Sequence, residues 1–151
     1  MKANSIVYGK SEEKIKQITD NQVDLIYLDP PFFTERKFNS FNDEWKSLED
    51  YLSFMNKIIQ QSHRVLKNTG SIYLHCDHHA SHYLKIELDK IFGRKNFQNE
   101  IIWKRHNAHN DTKQGAKMLG RIHDTIFHYS KSKKFTWNPM YEPYSEEYIE
   151  K

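Results

Sequence analysis

At 151 residues, with 37% hydrophobic and 14% aromatic side chains and both signs of charge interspersed, the chain can bury one sizeable core, which excludes a disordered or low-complexity protein. A single cysteine excludes an internal disulfide framework, and no apolar run reaches the length of a membrane span or a secretory signal core, so a cytoplasmic location is expected. The formal net charge of +3 tilts the chain toward a polyanionic partner.

In chain order, Ile6 to Tyr8 reads as a short strand, followed by a helix capped at Ser11 with Ile15 and Ile18 turned inward. Val23 to Leu28 is nearly all apolar, the pattern of a central parallel strand buried on both faces. The segment "FFTERKFNSFNDEW" shows neither strand nor helix period and reads as an exposed loop. Ser47 caps the clearest helix, which sets Leu48, Tyr51, Leu52, Met55, Ile58, Ile59 and Leu66 on one face and stops at "KNTG". Gly70 opens a second apolar strand, "GSIYLHCD", and Asp77 or Ser81 starts a helix bearing Leu84, Leu88 and Ile91 that ends at Gly93. "NEIIWKR" and "DTIFHYSK" are further strands around a polar, basic stretch from Arg105 to Arg121, expected to be mobile. The alternation implies an open α/β sheet, mostly parallel, with helices on both faces and ligands at the carboxyl ends of its strands.

Asp29 falls at such an end. Pro30 biases it away from helical geometry, and Pro30 and Pro31 fix their own φ near −65° without donating a backbone hydrogen bond. The result is a stiff turn that offers a carboxylate and bare carbonyls, with the aromatic face of Phe32 alongside. A planar amine fits such a site. The bland alternative is a strand that ends at Pro-Pro with Asp29 capping a turn.

A buried strand running into acid, two prolines and an aromatic resembles motif IV of the amino-directed DNA methyltransferases. The stretches "QVDLIYLDPPF", "GSIYLHCDHHASHYLKIELDKIFGRKNFQNEIIWKR" and "HDTIFHYSK" are similar, in order, to the beta-class enzymes, including modification subunits of restriction-modification systems. The resemblance implies a partial Rossmann-like methyltransferase fold, with residues 1–151 as the N-terminal catalytic part, from motif IV to the motif VIII region. It implies a double-stranded DNA substrate and S-adenosylmethionine as cofactor. Asp29 and the Pro30 carbonyl would then hold the exocyclic amine of a flipped base, Pro31 would stiffen the corner, and Phe32 would stack on the ring. An acid at the first motif position resembles the adenine-N6 members, whereas the cytosine-N4 members tend to carry serine there.

Cofactor contacts are expected from Asp29, His75 and Asp77 at the strand ends. Phosphate contacts are expected from Lys104, Arg105, Lys113, Lys117 and Arg121, against the plainer reading of a solvated loop. Lys131, Lys133 and Lys134 form a second basic group with the same ambiguity. The family's Phe-x-Gly-x-Gly cofactor block and target-recognition region are absent: the five glycines form no Gly-x-Gly, and Lys10 stands where relatives carry an acid. The resemblance therefore implies a partner: a missing C-terminal half, a restriction or specificity subunit, or a second copy bound through an open edge.

Two other readings stay open at this stage. Asp77-His78-His79 matches the signature of metal-dependent phosphoesterases, with His78 and His82 spaced to share a helical face, although no metal is expected. A remnant that binds DNA or a partner without catalysis is the other. Cys76 as a nucleophile is set aside, since Leu74 and His75 precede it where that chemistry resembles a Pro-Cys motif.

Overall fold

The computed structural model describes residues 4–37, 43–105, 117, 120–141 and 143. Its best-specified element is α2, Leu48–Val65. Ser47 caps it by accepting from the Asp50 amide at 3.2 Å, Glu49 and Asp50 sit in the first turn, and His63 and Arg64 in the last, each charge favourable to the helix dipole. Tyr51, Met55, Ile58, Ile59, Ser62 and Val65 form its buried face. A short α1, Ser11–Lys14, continues as a 3-10 turn over Ile15–Gln17.

Four strands make one sheet: β1, Val23–Leu28; β2, Leu66–Cys76; β3, Phe97–Lys104; and β4, His123–Ser130, in the order β1-β2-β4-β3. Helix α3, Ser81–Leu88, follows β2 and runs on as a π-helical turn to Gly93, whose φ of +84° ends it. Ile72, Leu74 and Cys76 of β2 join Phe127 and Tyr129 of β4 in a core closed by Tyr51, Met55 and Ile59 of α2 and Leu84 and Leu88 of α3.

The open α/β sheet with packed helices is as expected, but its strand directions differ. β1 and β2 are parallel, with Ile26 beside Ile72, whereas β4 runs antiparallel to both β2 and β3. The sheet is therefore mixed rather than mostly parallel. Antiparallel neighbours need only a return loop, and the 105–121 stretch that joins β3 to β4 lacks the apolar period of a crossover helix.

Three local expectations also change. Ile6 and Tyr8 are almost fully exposed and form no strand. β1 is an edge strand, not a central one: Leu25 and Tyr27 are 58% and 53% exposed, while Ile26 and Leu28 pack against the core. The expected burial on both faces fails here because Leu25 and Tyr27 alternate with the core-facing Ile26 and Leu28 and so share the opposite face, which stays open.

The third change concerns "KNTG", which belongs to β2 instead of ending the helix. The chain turns straight from Val65 into the strand, and Gly70 lies against the β1 backbone: a Cβ there would meet the Val23 and Asp24 carbonyl oxygens at 3.0 Å. Gly70→Ala is expected to cost roughly 1–3 kcal/mol through this overpacking, read as a lower urea midpoint at unchanged m-value.

Candidate active site at the carboxyl ends of the strands

Asp29 leaves the end of β1 with its side chain 61% exposed, next to a buried Pro30. The turn behind it is pinned. Tyr51 of α2 donates its hydroxyl to the Pro31 carbonyl at 2.9 Å, and the Phe33 ring lies 5.2 Å from that of Tyr51. Phe33 and Glu35 take φ of +62° and +58°, a region unfavourable to side chains that bear a Cβ.

Asp43 holds that strained turn. Its carboxylate accepts from the Phe33 amide at 3.0 Å, the Thr34 amide at 2.8 Å, the Thr34 hydroxyl at 2.6 Å and the Trp45 indole at 3.1 Å. Burial alone would raise its pKa, but these bonds from Thr34, Trp45 and Phe33 outweigh burial and hold it below the ordinary aspartate value. The stretch expected to be an exposed loop thus has a buried anchor, while residues 38–42 lie outside the described residues. Sequence reasoning missed Asp43 because it is one acid among many charged neighbours.

His75 faces Asp29 from β2. Its Nδ1 lies 3.0 Å from the Tyr27 hydroxyl and 3.6 Å from Asp29 Oδ1, and its Nε2 lies 3.3 Å from Asp124 Oδ2. The Phe32 ring sits 5.3 Å from the imidazole. Asp124, 5% exposed, is in turn 3.3 Å through Oδ1 from the Arg105 guanidinium. Burial, and then the charges of Asp29 and Asp124, push the Tyr27 hydroxyl pKa up. Asp124 was not singled out from the sequence. The only signal was a lone acid at the second position of a strand with no lysine, arginine or other carboxylate.

Antiparallel pairing explains the rest of the constellation. Trp103 pairs with Asp124 and Lys104 with His123, so Lys104, Arg105 and Arg121 reach the same end of the sheet as Asp29. Arg105 donates its amide to the Ile122 carbonyl at 2.8 Å. Arg121 and Lys117 are exposed, and Lys113 lies outside the described residues.

Asp77 is drawn elsewhere. It is 5% exposed, and its oxygens lie 2.9 and 3.0 Å from the His79 ring, one of them also taking the His79 amide. His78 lies before α3 begins, so the helical spacing invoked for His78 and His82 does not arise. Asp77, His78 and His79 do bring one ligand atom each within 4.8 Å of the others. The pKa of His78 is lowered by burial and by the positive charges of His79, Arg121 and Arg105, against the pull of Asp77. Cys76 is fully buried, and its thiol is pushed up to about 12 by burial and then by nearby carboxylates, which removes it as a nucleophile.

The sequence model described as DNA methylase matches residues 23–151. The chain is 33% identical over 152 residues to the type II methyltransferase M.EcaI of Enterobacter cloacae, covering 95% of this chain and 33% of that protein. It is 28% identical over 138 residues to the DNA adenine methyltransferase YhdJ of Escherichia coli K12, covering 90% of this chain and 44% of that one. Among solved structures, a putative DNA modification methylase from Thermus thermophilus, complexed with S-adenosyl-L-methionine, superposes with a TM-score of 0.60 at 15% identity, over 94% of this chain and 56% of that one. The chain thus spans between a third and a half of the length of such curated relatives.

Proposed function

We propose that this chain, which belongs to the DNA methylase family, carries the base-holding part of a site-specific methyltransferase that modifies the N6 amine of adenine in double-stranded DNA. The observation that carries the reading is an exposed Asp29 carboxylate on a proline corner that Tyr51 and Asp43 hold rigid. A conjugated amine is a poor nucleophile. Hydrogen bonds from its two hydrogens to Asp29 and the Pro30 carbonyl favour a pyramidal nitrogen, whose lone pair then projects away from the ring. Phe32, backed by His75, offers its face to the extruded base, a stacking contact of about 1–3 kcal/mol. Lys104, Arg105, Lys117 and Arg121 contact the phosphates, and Lys113, in the same basic stretch of the sequence, adds to that charge.

S-adenosylmethionine supplies, when bound, a methyl group on positively charged sulfur. The residues present fit one end of it: Asp29, with His75 beside it, can face the cationic methionine portion, whereas Asp77 is already engaged by His79. No Gly-x-Gly turn is present to hold the nucleoside. A C-terminal half of the fold would supply it, docking along the β1 edge over a groove of about 420 Å³ lined by Val7, Ile18, Val23, Leu25 and Tyr27. A restriction or specificity subunit would be a further partner. No helix among the described residues is long and apolar enough to cross a membrane, and a DNA substrate places the work in the cytoplasm.

The relative named as an adenine methyltransferase and the acid at position 29 support adenine over cytosine. The test joins the chain to the C-terminal part of the Enterobacter cloacae relative and measures transfer of labelled methyl groups from S-adenosylmethionine to duplex DNA. N6-methyladenine in the digested product is the expected result. N4-methylcytosine would move the substrate to the other amino base, and a folded, DNA-binding fusion without incorporation would overturn the reading.

A further inference from the structure

The assembly around His75 is more than a neighbour of the reactive corner. Its imidazole stands between two carboxylates from different strands, with Asp29 Oδ1 3.6 Å from Nδ1 and Asp124 Oδ2 3.3 Å from Nε2. The environment of the two carboxylates differs sharply. The Asp29 side chain is 61% exposed and that of Asp124 is 6% exposed. Nε2 of His75 and Oδ1 of Asp124 are also buried without a hydrogen bond among the described residues. Buried polar atoms left in this state mark a site with capacity held in reserve.

We propose that His75 is the proton acceptor behind Asp29, and that Asp124 positions its ring for that task. The proposal rests on the methyl-transfer reading and deepens it. When the amine nitrogen forms its bond to the methyl carbon, the carbon–sulfur bond breaks and its electron pair stays on sulfur. The nitrogen is left cationic with both hydrogens, one of which leaves as a proton while its bonding pair returns to nitrogen. Asp29, in contact with that amine, takes the proton. A protonated Asp29 can no longer accept from the next amine with both oxygens, so it must be reset, and His75 Nδ1, 3.6 Å from its Oδ1, is the nearest base among the described residues.

The tautomer follows from the partners. The Asp124 carboxylate, an acceptor only, faces Nε2 and favours a proton there, which leaves Nδ1 as the acceptor of the Tyr27 hydroxyl at 3.0 Å. When Nδ1 takes the proton from Asp29, the Tyr27 hydroxyl turns to accept from it, and the ring stands in the field of the Asp29 and Asp124 carboxylates. Arg105, 3.3 Å from Asp124 Oδ1, tempers that field, and Phe32 adds an aromatic wall without charge. The imidazolium, its side chain 16% exposed, then releases the proton to water.

Nitrogen-15 NMR of the chain as it exists tests the geometry without any turnover. The neutral His75 ring is expected to carry its proton on Nε2, and Asp124→Asn is expected to shift the tautomer toward Nδ1–H, because the acceptor-only carboxylate facing Nε2 is lost. An unmoved tautomer in Asp124→Asn would overturn the assignment. In a methylating fusion with a C-terminal half, His75→Gln is expected to lower kcat about 10- to 100-fold. Added imidazole should restore part of that kcat while KM for DNA holds. A fall in kcat that imidazole does not restore would reduce His75 to packing and reject the proposal. If the wild-type fusion transfers no methyl group at all, the methyl-transfer reading fails, while the NMR arm still decides the geometry on its own.

Discussion

Asp29→Ala in a fusion with a C-terminal half is expected to lower methyl transfer by about two to three orders of magnitude, the usual effect of removing a group that acts on the transition state. It should leave both stability and duplex affinity close to wild type. The two halves of this expectation come from the same observation. The Asp29 side chain is 61% exposed, and its nearest ionic neighbour, His75, stands 3.6 Å away, beyond hydrogen-bond distance. An exposed acid without a hydrogen-bonded role in the fold changes stability within roughly 0.5 kcal/mol when truncated. The phosphate contacts proposed above are those of Lys104, Arg105 and Arg121, not of Asp29, so duplex binding and its salt dependence should persist. Labelled-methyl incorporation, a gel-shift titration and a urea denaturation curve on the same preparation separate these quantities. Full activity in the variant would remove Asp29 from the chemistry, and a collapse of the denaturation midpoint would make it structural.

The largest stability effect is expected at Asp43. Asp43→Ala leaves the Phe33 and Thr34 amides, the Thr34 hydroxyl and the Trp45 indole without their acceptor, at a cost of roughly 2–5 kcal/mol. The penalty falls on a turn already carrying positive φ at Phe33 and Glu35, so the proline corner should loosen with it. Asp43 also carries a pH signature. Its folded pKa is lowered below the ordinary aspartate value, so its contribution is fully present above that value and is lost as pH falls through the folded one. Glu87 and Asp89 are lowered too. The contribution of Asp43 is therefore the difference between the wild-type and Asp43→Ala stability curves, measured from pH 7 down into the acid range. That difference should be flat near neutrality and shrink below about pH 4; a difference that grows on acidification would contradict the charged-acceptor role.

Helix α2 was legible because its signals are local: a serine cap, acids in the first turn, and apolar residues returning every three or four positions. The strand cores of β2, β3 and β4 were legible for the same reason, as was Asp29, whose two prolines dictate their own backbone. The edge position of β1 was not, because a run such as Val-Asp-Leu-Ile-Tyr-Leu carries no information about which neighbours the chain provides. Leu66 as a strand start was hidden as well. Gly70 looked like a helix stop, and only its contact with the β1 carbonyls shows what the missing Cβ is for.

By itself, then, the amino-acid order determined the elements that depend on a few consecutive residues, and the stiff acidic corner at the end of β1. The tertiary structure alone decided which groups meet there. Asp124 comes to His75 because β4 returns antiparallel beside β2. Asp43 reaches the Phe33 and Thr34 amides across a loop whose charged composition announces nothing. The physical reason is one of range: capping, period and proline sterics act within a turn or two of chain, whereas register and buried hydrogen bonds are chosen by the packing of segments distant in sequence.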